Sequence, residues 1–158
     1  MPKISALLHT HNDTRRLGRV LDSLRPCDEV VVIDDASDDD TAKVAQEHGA
    51  VLKSAIPGVT FGAYAMDASH DWLLCLRPNE SLSDDLEASL FEWKNEDPRE
   101  DVACYRISIR QQNGNVWRSC PPEVRLVNRK LMNWIGEMPS DERCEMMLSG
   151  DLLCFHQP

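Results

Sequence analysis

Three short polar clusters carry the residue types best suited to chemistry. They are HTHND at 9–13, DDASD at 34–38 and RPNE at 77–80, and each follows a short apolar run. Carboxylates accept N–H hydrogen bonds or hold a divalent cation, whereas a guanidinium suits phosphate oxygens. If the apolar runs are parallel strands, the three clusters converge at the carboxyl ends of the strands, where open α/β sheets bind their ligands. The sequence therefore predicts a polar ligand site at that edge.

The elements that must position these clusters alternate along the first hundred residues. Strands are predicted at 3–9, 29–35, 50–55 and 71–77, because these runs are apolar and short. Helices are predicted within 10–26, 37–50, 60–70 and 81–96, the last capped by Ser83, with Leu86, Leu90, Phe91 and Trp93 on its apolar side. Such alternation predicts an α/β fold with a parallel, doubly wound sheet.

After residue 100 the pattern changes to antiparallel strands, predicted at 102–111, 112–119 and 123–130, with a turn at Asn113-Gly114. A loop-rich stretch at 131–145 precedes a last strand at 150–156. We expect one compact domain over residues 1–158, with three layers and a mainly parallel sheet. The pattern predicts a nucleotide-binding-like half at 1–98 and a mixed-strand half at 99–158.

Composition and charge exclude several classes of partner and site. The formal net charge of −10 disfavours nucleic acid, and no apolar run approaches the roughly 18 residues of a membrane span. The six cysteines form no C-x-x-C motif, which argues against a zinc knuckle or a redox pair. We interpret them as reduced core thiols of a cytoplasmic protein, with peripheral association at an inner membrane left open.

Four segments together resemble the family-2 glycosyltransferases of the GT-A fold, a Rossmann-like architecture. They are ISALLHTHND, VVVIDDASDDDT, AQEHGA and HDWLLCLRPNES, and the specific part is the D-x-x-S-x-D-x-T spacing from Asp34 to Thr41. The nearest resemblance is to small bacterial enzymes of the lipopolysaccharide-core glucosyltransferase type. Weaker similarity continues through EVRLVNRK, WIGEMP and LSGDLLCFH. The resemblance implies transfer of a sugar from a nucleotide diphosphate, UDP above all, to a hydroxyl of a saccharide or glycolipid, with 99–158 as the acceptor-side half.

The resemblance also implies a set of site residues. Thr10 would lie against the nucleoside and Asp34 would accept the imide N–H of a uracil-type base. The implied nucleotide-binding set is Thr10, Asn12, Asp34, Asp35, Arg125 and Arg129, with the two arginines facing phosphate. Glu137 would be the general base and His156 would approach the diphosphate or a metal. Simpler interpretations remain open: Glu137 as an ordinary surface carboxylate, and one of the arginines as the partner of a surface acid.

The turn at 77–80 departs from the family pattern. Where the family has a metal-binding D-x-D, this chain has Arg77-Pro78-Asn79, so both carboxylates are replaced. If a metal site persists, the candidate ligands are Asn79, Glu80 and His156, and the cofactor would be Mg2+ or Mn2+. Alternatively, Arg77 supplies the positive charge itself and takes part in catalysis. Two neighbouring departures, Ala63-Tyr64 for Arg-Asn and His11 for tyrosine, also alter the crevice.

Other functions compete with the transferase interpretation. A catalytically inactive homologue could keep nucleotide-sugar binding or only a protein-interaction surface. A response-regulator receiver would need a phospho-accepting aspartate and a lysine that 50–58 and 152–158 lack, and a nucleotidyltransferase would need a glycine-rich loop after the first strand. His9 and His11 could grip a cation together, with Asp34 or Asp35 as a third ligand. The carboxylates at 38–40 are interpreted as helix caps rather than as ligands.

Overall fold

An eight-stranded mixed sheet runs through both halves of the chain in the computed structural model, which describes residues 1–156. The strands are β1 (Ile4–Thr10), β2 (Glu29–Asp34), β3 (Val51–Ser54), β4 (Trp72–Leu76), β5 (Glu80–Leu82), β6 (Cys104–Asn113), β7 (Val116–Asn128) and β8 (Met147–Phe155). The helices are α1 (Thr14–Asp22), α2 (Thr41–Glu47), a 3-10 helix (Phe61–Asp67) and α3 (Asp84–Asn95). None of the described helices is long and apolar enough to span a membrane.

The strand order is β3-β2-β1-β4-β7-β6-β8-β5. The first four strands are mutually parallel, β7 is antiparallel to β4 and to β6, and β8 is parallel to β6. Strands β1 to β4, β6 and β8 therefore all run the same way. Their ends, marked by Thr10, Asp34, Leu76 and Phe155, define what we call the carboxyl edge of the sheet.

Both faces of the sheet are packed, which is why the central strands are apolar without interruption. Leu8, Val32 and Leu74 face α1, α2 and α3. There they share one apolar cluster with buried residues of each helix, such as Leu17, Ala45 and Leu90. Leu7, Ile33 and Leu73 face the 3-10 helix and the loop that follows β7. Each fully buried side chain of this kind contributes about 1.5–3 kcal/mol, so the carboxyl edge rests on a rigid base.

Most predicted elements are present, and the differences have local causes. The 113–114 turn and the Ser83 cap are confirmed: Asn113 pairs with Val116, and Ser83 Oγ accepts the Leu86 N–H at 3.1 Å. The two strands predicted at 112–119 and 123–130 are one strand, β7. Its Pro121-Pro122 lies at a register shift opposite β6, where the missing N–H groups cost no ladder bond.

Three further expectations need correction. The segment 60–70 forms a 3-10 helix rather than an α-helix, and β5 was not predicted because it has only three residues. Phe91 does not belong to the buried side of α3, since it is 45% exposed.

All six cysteines are free thiols and four of them are buried. Burial raises the pKa of Cys75 to about 12, so this thiol is unreactive at neutral pH.

Candidate functional site at the carboxyl edge

The loops after β1 and β2 are bonded directly to each other. Asn12 N–H donates to Ser37 Oγ at 2.9 Å, and Asp38 N–H donates to Asn12 Oδ1 at 2.9 Å. His11 Nδ1 forms a short hydrogen bond with the carbonyl oxygen of Asp35. These reciprocal bonds make the two predicted clusters one structural unit at the carboxyl edge.

Asp34 lies at the end of β2 inside this unit and is half-buried. The Ser37 hydroxyl donates a short hydrogen bond to Asp34 Oδ1. Within residues 1–156, Asp34 Oδ2 has no hydrogen-bond partner. A carboxylate held at one oxygen and open at the other can accept an N–H from a ligand.

Thr10 also lies at this edge, but its hydroxyl is turned inward. It donates to Asp13 Oδ2 at 2.6 Å, while Arg16 Nη2 donates to Asp13 Oδ1 at 2.7 Å. Asp35 N–H donates to the Thr10 carbonyl at 2.8 Å, which ties the ends of β1 and β2 together. Contact between Thr10 and a nucleoside stays a prediction, and in this arrangement its hydroxyl is already engaged.

Two non-glycine residues in this unit have left-handed backbones. Asn12 has φ 52° and Ala36 has φ 48°. Asparagine tolerates this conformation, whereas alanine pays a steric cost of about 1–2 kcal/mol for it. Such strain is kept where the surrounding structure demands it, and here it allows the loops after β1 and β2 to meet.

Neighbouring groups in the loops after β1 and β2 stabilise the charged forms of His11 and Asp39. The carbonyl of Asp35 is the main cause that raises the pKa of His11 above its usual value, and the carboxylates of Asp35, Asp38 and Asp13 add to the effect. The Thr41 hydroxyl and backbone N–H bind Asp39 and lower the pKa of that carboxylate to about 2. Asp39 thus binds Thr41 in the first turn of α2 and remains ionised, whereas Asp40, which directly precedes the helix, makes no side-chain capping bond to residues 41–47.

The turn after β4 is built around a buried ion pair. Arg125 is fully buried and binds Glu80 with two parallel bonds, each 2.7 Å long. Arg77 N–H donates to the same carboxylate at 2.7 Å. A register irregularity between β7 and β6 lies at Arg125, and such bulges redirect a side chain. In this arrangement neither Arg125 nor Glu80 is available to a ligand. The pair therefore argues against the phosphate-facing role predicted for Arg125 and the metal-ligand role predicted for Glu80.

Arg77 has a different environment, because its side chain is 42% exposed. Its guanidinium lies 3.3 Å from Glu123 and 3.7 Å from Glu80. Glu123 also contacts the buried Arg125 at 3.1 Å. Arg77 is therefore an exposed cation at the carboxyl edge, held by carboxylates on its inner side.

The residues of this turn do not fit a divalent cation. Both oxygens of Glu80 are committed to Arg125, and the Asn79 amide donates to Cys154 Sγ at 3.3 Å. The backbone carbonyl of Asn79 accepts the Phe155 N–H at 2.8 Å. Across residues 1–156 no group of three histidine, cysteine, aspartate or glutamate side chains could hold a metal ion. Hard cations such as Mg2+ require carboxylates that this turn does not offer.

His156 follows β8 directly and is exposed near the carboxyl edge, beside the start of α1. It lines a surface cleft of about 630 Å³ together with Asn12, Arg15, Arg16 and Asp39. The cleft therefore adjoins the loop that holds Asn12 and contains two guanidinium groups. A diphosphate near His156 remains a prediction.

Arg129 lies at the opposite edge of the sheet. It follows β7, which is antiparallel to β4, and its backbone N–H donates to the carbonyl of Asp71, just before β4 begins. Its guanidinium contacts the Asp71 carboxylate at 3.3 Å and the Ala65 carbonyl at 3.0 Å. The phosphate-facing role expected of Arg129 is corrected: the side chain anchors the 3-10 helix, far from the predicted crevice.

Glu137 lies in an exposed loop that approaches the carboxyl edge from the face of the 3-10 helix. Gly62 N–H donates to the Gly136 carbonyl at 3.2 Å, and a side chain at 62 would collide with Trp134. Phe61, next in the chain, stacks on His9 with ring centroids 5.7 Å apart. The loop is thus anchored close to the end of β1, although the role of Glu137 as a base stays a prediction.

The structure does not bring His9 and His11 together as a cation-binding pair. His9 stacks on Phe61 and its Nε2 atom is buried without a hydrogen bond, whereas His11 is exposed and bonded to Asp35. Two residues that sequence reasoning did not single out matter more. Ser37 contacts Asp34, and Glu123 holds Arg77. The D-x-x-S spacing could have indicated the first, but nothing in the sequence indicates the second.

Comparison with known proteins finds relatives that are named as glycosyltransferases. An uncharacterised glycosyltransferase from Rickettsia felis is 29% identical over 164 residues, which cover 96% of this chain and 57% of the relative. A second, from Rickettsia conorii, is 29% identical over 162 residues. The chain thus spans a little over half the length of these relatives. No protein-family model matches it.

Solved structures define the fold. Staphylococcus aureus TarS 1–349, solved with UDP-GlcNAc, matches 99% of this chain and 59% of its own with a TM-score of 0.69 and 15% identity. The fold is that of the GT-A glycosyltransferases. Glucosyl-3-phosphoglycerate synthase from Mycobacterium tuberculosis, solved with Mn2+, UDP and glucosyl-3-phosphoglycerate, matches 72% of this chain and 45% of its own with a TM-score of 0.51 and 22% identity. The GT-A-like fold expected from the sequence is confirmed.

Proposed function

We propose that the carboxyl edge binds a UDP-sugar and that the chain transfers the sugar to a hydroxyl acceptor. The observation that carries the proposal is Asp34, a half-buried carboxylate with one oxygen fixed by Ser37 and the other open. Its position at the carboxyl edge is where ligands bind in such sheets. Relatives named as glycosyltransferases and neighbours solved with UDP or a UDP-sugar support the choice of ligand.

The proposed roles follow from chemistry at the edge. Asp34 Oδ2 accepts the imide N–H of uracil, and Arg77 approaches the diphosphate. His156, which lines the cleft beside Asn12, is a second candidate for contact with the diphosphate. The acceptor oxygen attacks the anomeric carbon while the bond from that carbon to the diphosphate breaks. The electron pair leaves with UDP, and the acceptor proton passes to Glu137.

In this proposal the guanidinium of Arg77 compensates the negative charge of the leaving diphosphate. The residues of the turn at 77–80 do not suit a divalent cation, whereas an exposed guanidinium can stabilise a leaving diphosphate. We therefore propose that donor binding needs no metal. When the diphosphate binds, the ion pair between Arg77 and Glu123 must weaken or break so that the guanidinium can contact phosphate oxygens.

A second candidate is a relative that binds the nucleotide without turning it over. It is favoured by the contacts of Arg77, whose guanidinium is engaged by Glu123 and Glu80 instead of pointing freely outward. The two candidates share the nucleotide site and differ only in transfer. Hydrolysis or transfer of a UDP-sugar by the purified chain, with Glu137→Gln as the inactive control, separates them.

The test is calorimetric titration with UDP and with uridine, in Mn2+ and again in chelator. We expect UDP to bind equally in both conditions. Arg77→Ala should weaken UDP about tenfold or more and leave uridine unchanged, since a charge-assisted bond to phosphate is worth about 1.5–3 kcal/mol. Arg99→Ala, an exposed guanidinium paired with Asp101, is the matched control and should change neither ligand. Equal losses for UDP and uridine would remove Arg77 from the diphosphate site.

A further inference from the structure

Within residues 1–156, Ser37 is the one side chain that forms a hydrogen bond with the carboxylate of Asp34. The Ser37 hydroxyl has a single proton and two lone pairs. One lone pair accepts the Asn12 N–H at 2.9 Å, and a backbone N–H can only donate. The Ser37 proton is therefore free for Asp34 Oδ1, and the direction of both bonds is fixed.

This chain of bonds orients the carboxylate. Asn12 belongs to the loop after β1 and is itself held by the Asp38 N–H, which donates to Asn12 Oδ1. The relay from Asn12 through Ser37 to Asp34 thus links the two loops that frame the crevice. It occupies Oδ1 and leaves Oδ2 open.

We propose that Ser37 is a positioning residue that sets base selectivity through Asp34. The inference rests on the proposed nucleotide site and adds a determinant to it. With Oδ1 locked, the open oxygen presents one acceptor in one direction, which suits the N3–H donor of uracil and opposes the N3 lone pair of cytosine. Without the Ser37 hydroxyl, the carboxylate can rotate, and its direction is no longer fixed before the ligand arrives.

The experiment measures UDP and CDP affinity by calorimetry for wild type, Ser37→Ala, Ser37→Thr and Asp34→Asn. We expect Ser37→Ala to weaken UDP binding about tenfold, equal to about 1.4 kcal/mol, and to narrow the UDP-to-CDP ratio. Ser37→Thr keeps the hydroxyl and should restore both the affinity and the ratio. Ser149→Ala, an exposed serine at the start of β8, is the matched control.

The double variant with Ser37→Ala and Asp34→Asn decides whether Ser37 acts through Asp34. We expect it to bind no more weakly than Asp34→Asn alone, because the two residues form one unit. Additive losses, or an unchanged Ser37→Ala, would overturn the positioning role while leaving the nucleotide site intact. Wild type that binds no UDP would overturn the proposed function and this inference with it.

Discussion

Replacing Asp34 by asparagine is the sharpest single perturbation of the site, because the structure dictates how the new amide must lie. The Ser37 hydroxyl accepts from Asn12 and must donate its proton. An asparagine at 34 would therefore turn its carbonyl oxygen toward Ser37 and its NH2 group toward the ligand. The substitution converts an acceptor for the base into a donor without changing the size of the side chain.

The expected magnitude follows from the lost bond. A hydrogen bond to a charged group contributes about 1.5–3 kcal/mol, so UDP should bind Asp34→Asn about 10- to 150-fold more weakly. Cytosine presents an acceptor at N3, and the new NH2 group can donate to it. A neutral bond of this kind is worth about 0.5–1.5 kcal/mol, so CDP should bind the variant as well as UDP or better.

The assay is calorimetry with UDP and CDP on wild type and variant, with Glu47→Gln as the control. Glu47 is an exposed carboxylate at the end of α2, remote from the crevice, and the control makes the same change in charge. Thermal unfolding of each variant checks that the fold is intact. UDP affinity within about threefold of wild type would refute the role of Asp34, since losing even the weakest charge-assisted bond, about 1.5 kcal/mol, should lower the affinity about tenfold.

The remaining predictions concern stability and pH. Arg125→Met should lower the free energy of unfolding in urea by about 3–5 kcal/mol, because it leaves the buried Glu80 carboxylate without its cation. Replacing both Arg125 and Glu80 by methionine should recover most of that loss. A loss below about 1 kcal/mol for the single variant would contradict the buried pair. Ala36→Gly should raise stability by about 0.5–1 kcal/mol, and a loss would mean that φ 48° is not strained. The pKa of His11 is raised, so the contribution of His11 to the free energy of unfolding should be complete below pH 6.5 and lost as pH rises through the folded-state pKa. An NMR titration of His11 with a midpoint at or below pH 6.5 would contradict its hydrogen bond to Asp35.

The parallel half of the fold was predictable from sequence because its signals are local. Buried runs such as 29–34 are continuous and β-branched, and α3 begins at a serine cap. The positions of Thr10 and Asp34 at one edge followed from those strands alone. Arg129 was misplaced because its edge depends on the direction of β7, and direction is set by pairing with β4, which leaves no local signature.

The turn at 77–80 was the least predictable part of the site. Sequence showed that the family carboxylates were missing, but not that Glu80 turns inward to Arg125, 45 residues away. Pairing between distant charges is decided by packing, since burying either charge alone would be prohibitive. The structure shows what occupies this turn: a buried ion pair between Glu80 and Arg125, with the partly exposed Arg77 beside it.

The measurement that tests the central claim most directly is an amide NMR titration of the isotope-labelled chain with UDP in chelator. The account predicts shifts clustered at the carboxyl edge, in residues 10–14, 34–38 and 77–80. The opposite edge, at Asp71, Arg129 and Lys130, should stay unchanged. Shifts confined to that opposite edge, or no shifts at millimolar UDP, would contradict the claim that the carboxyl edge is a nucleotide site.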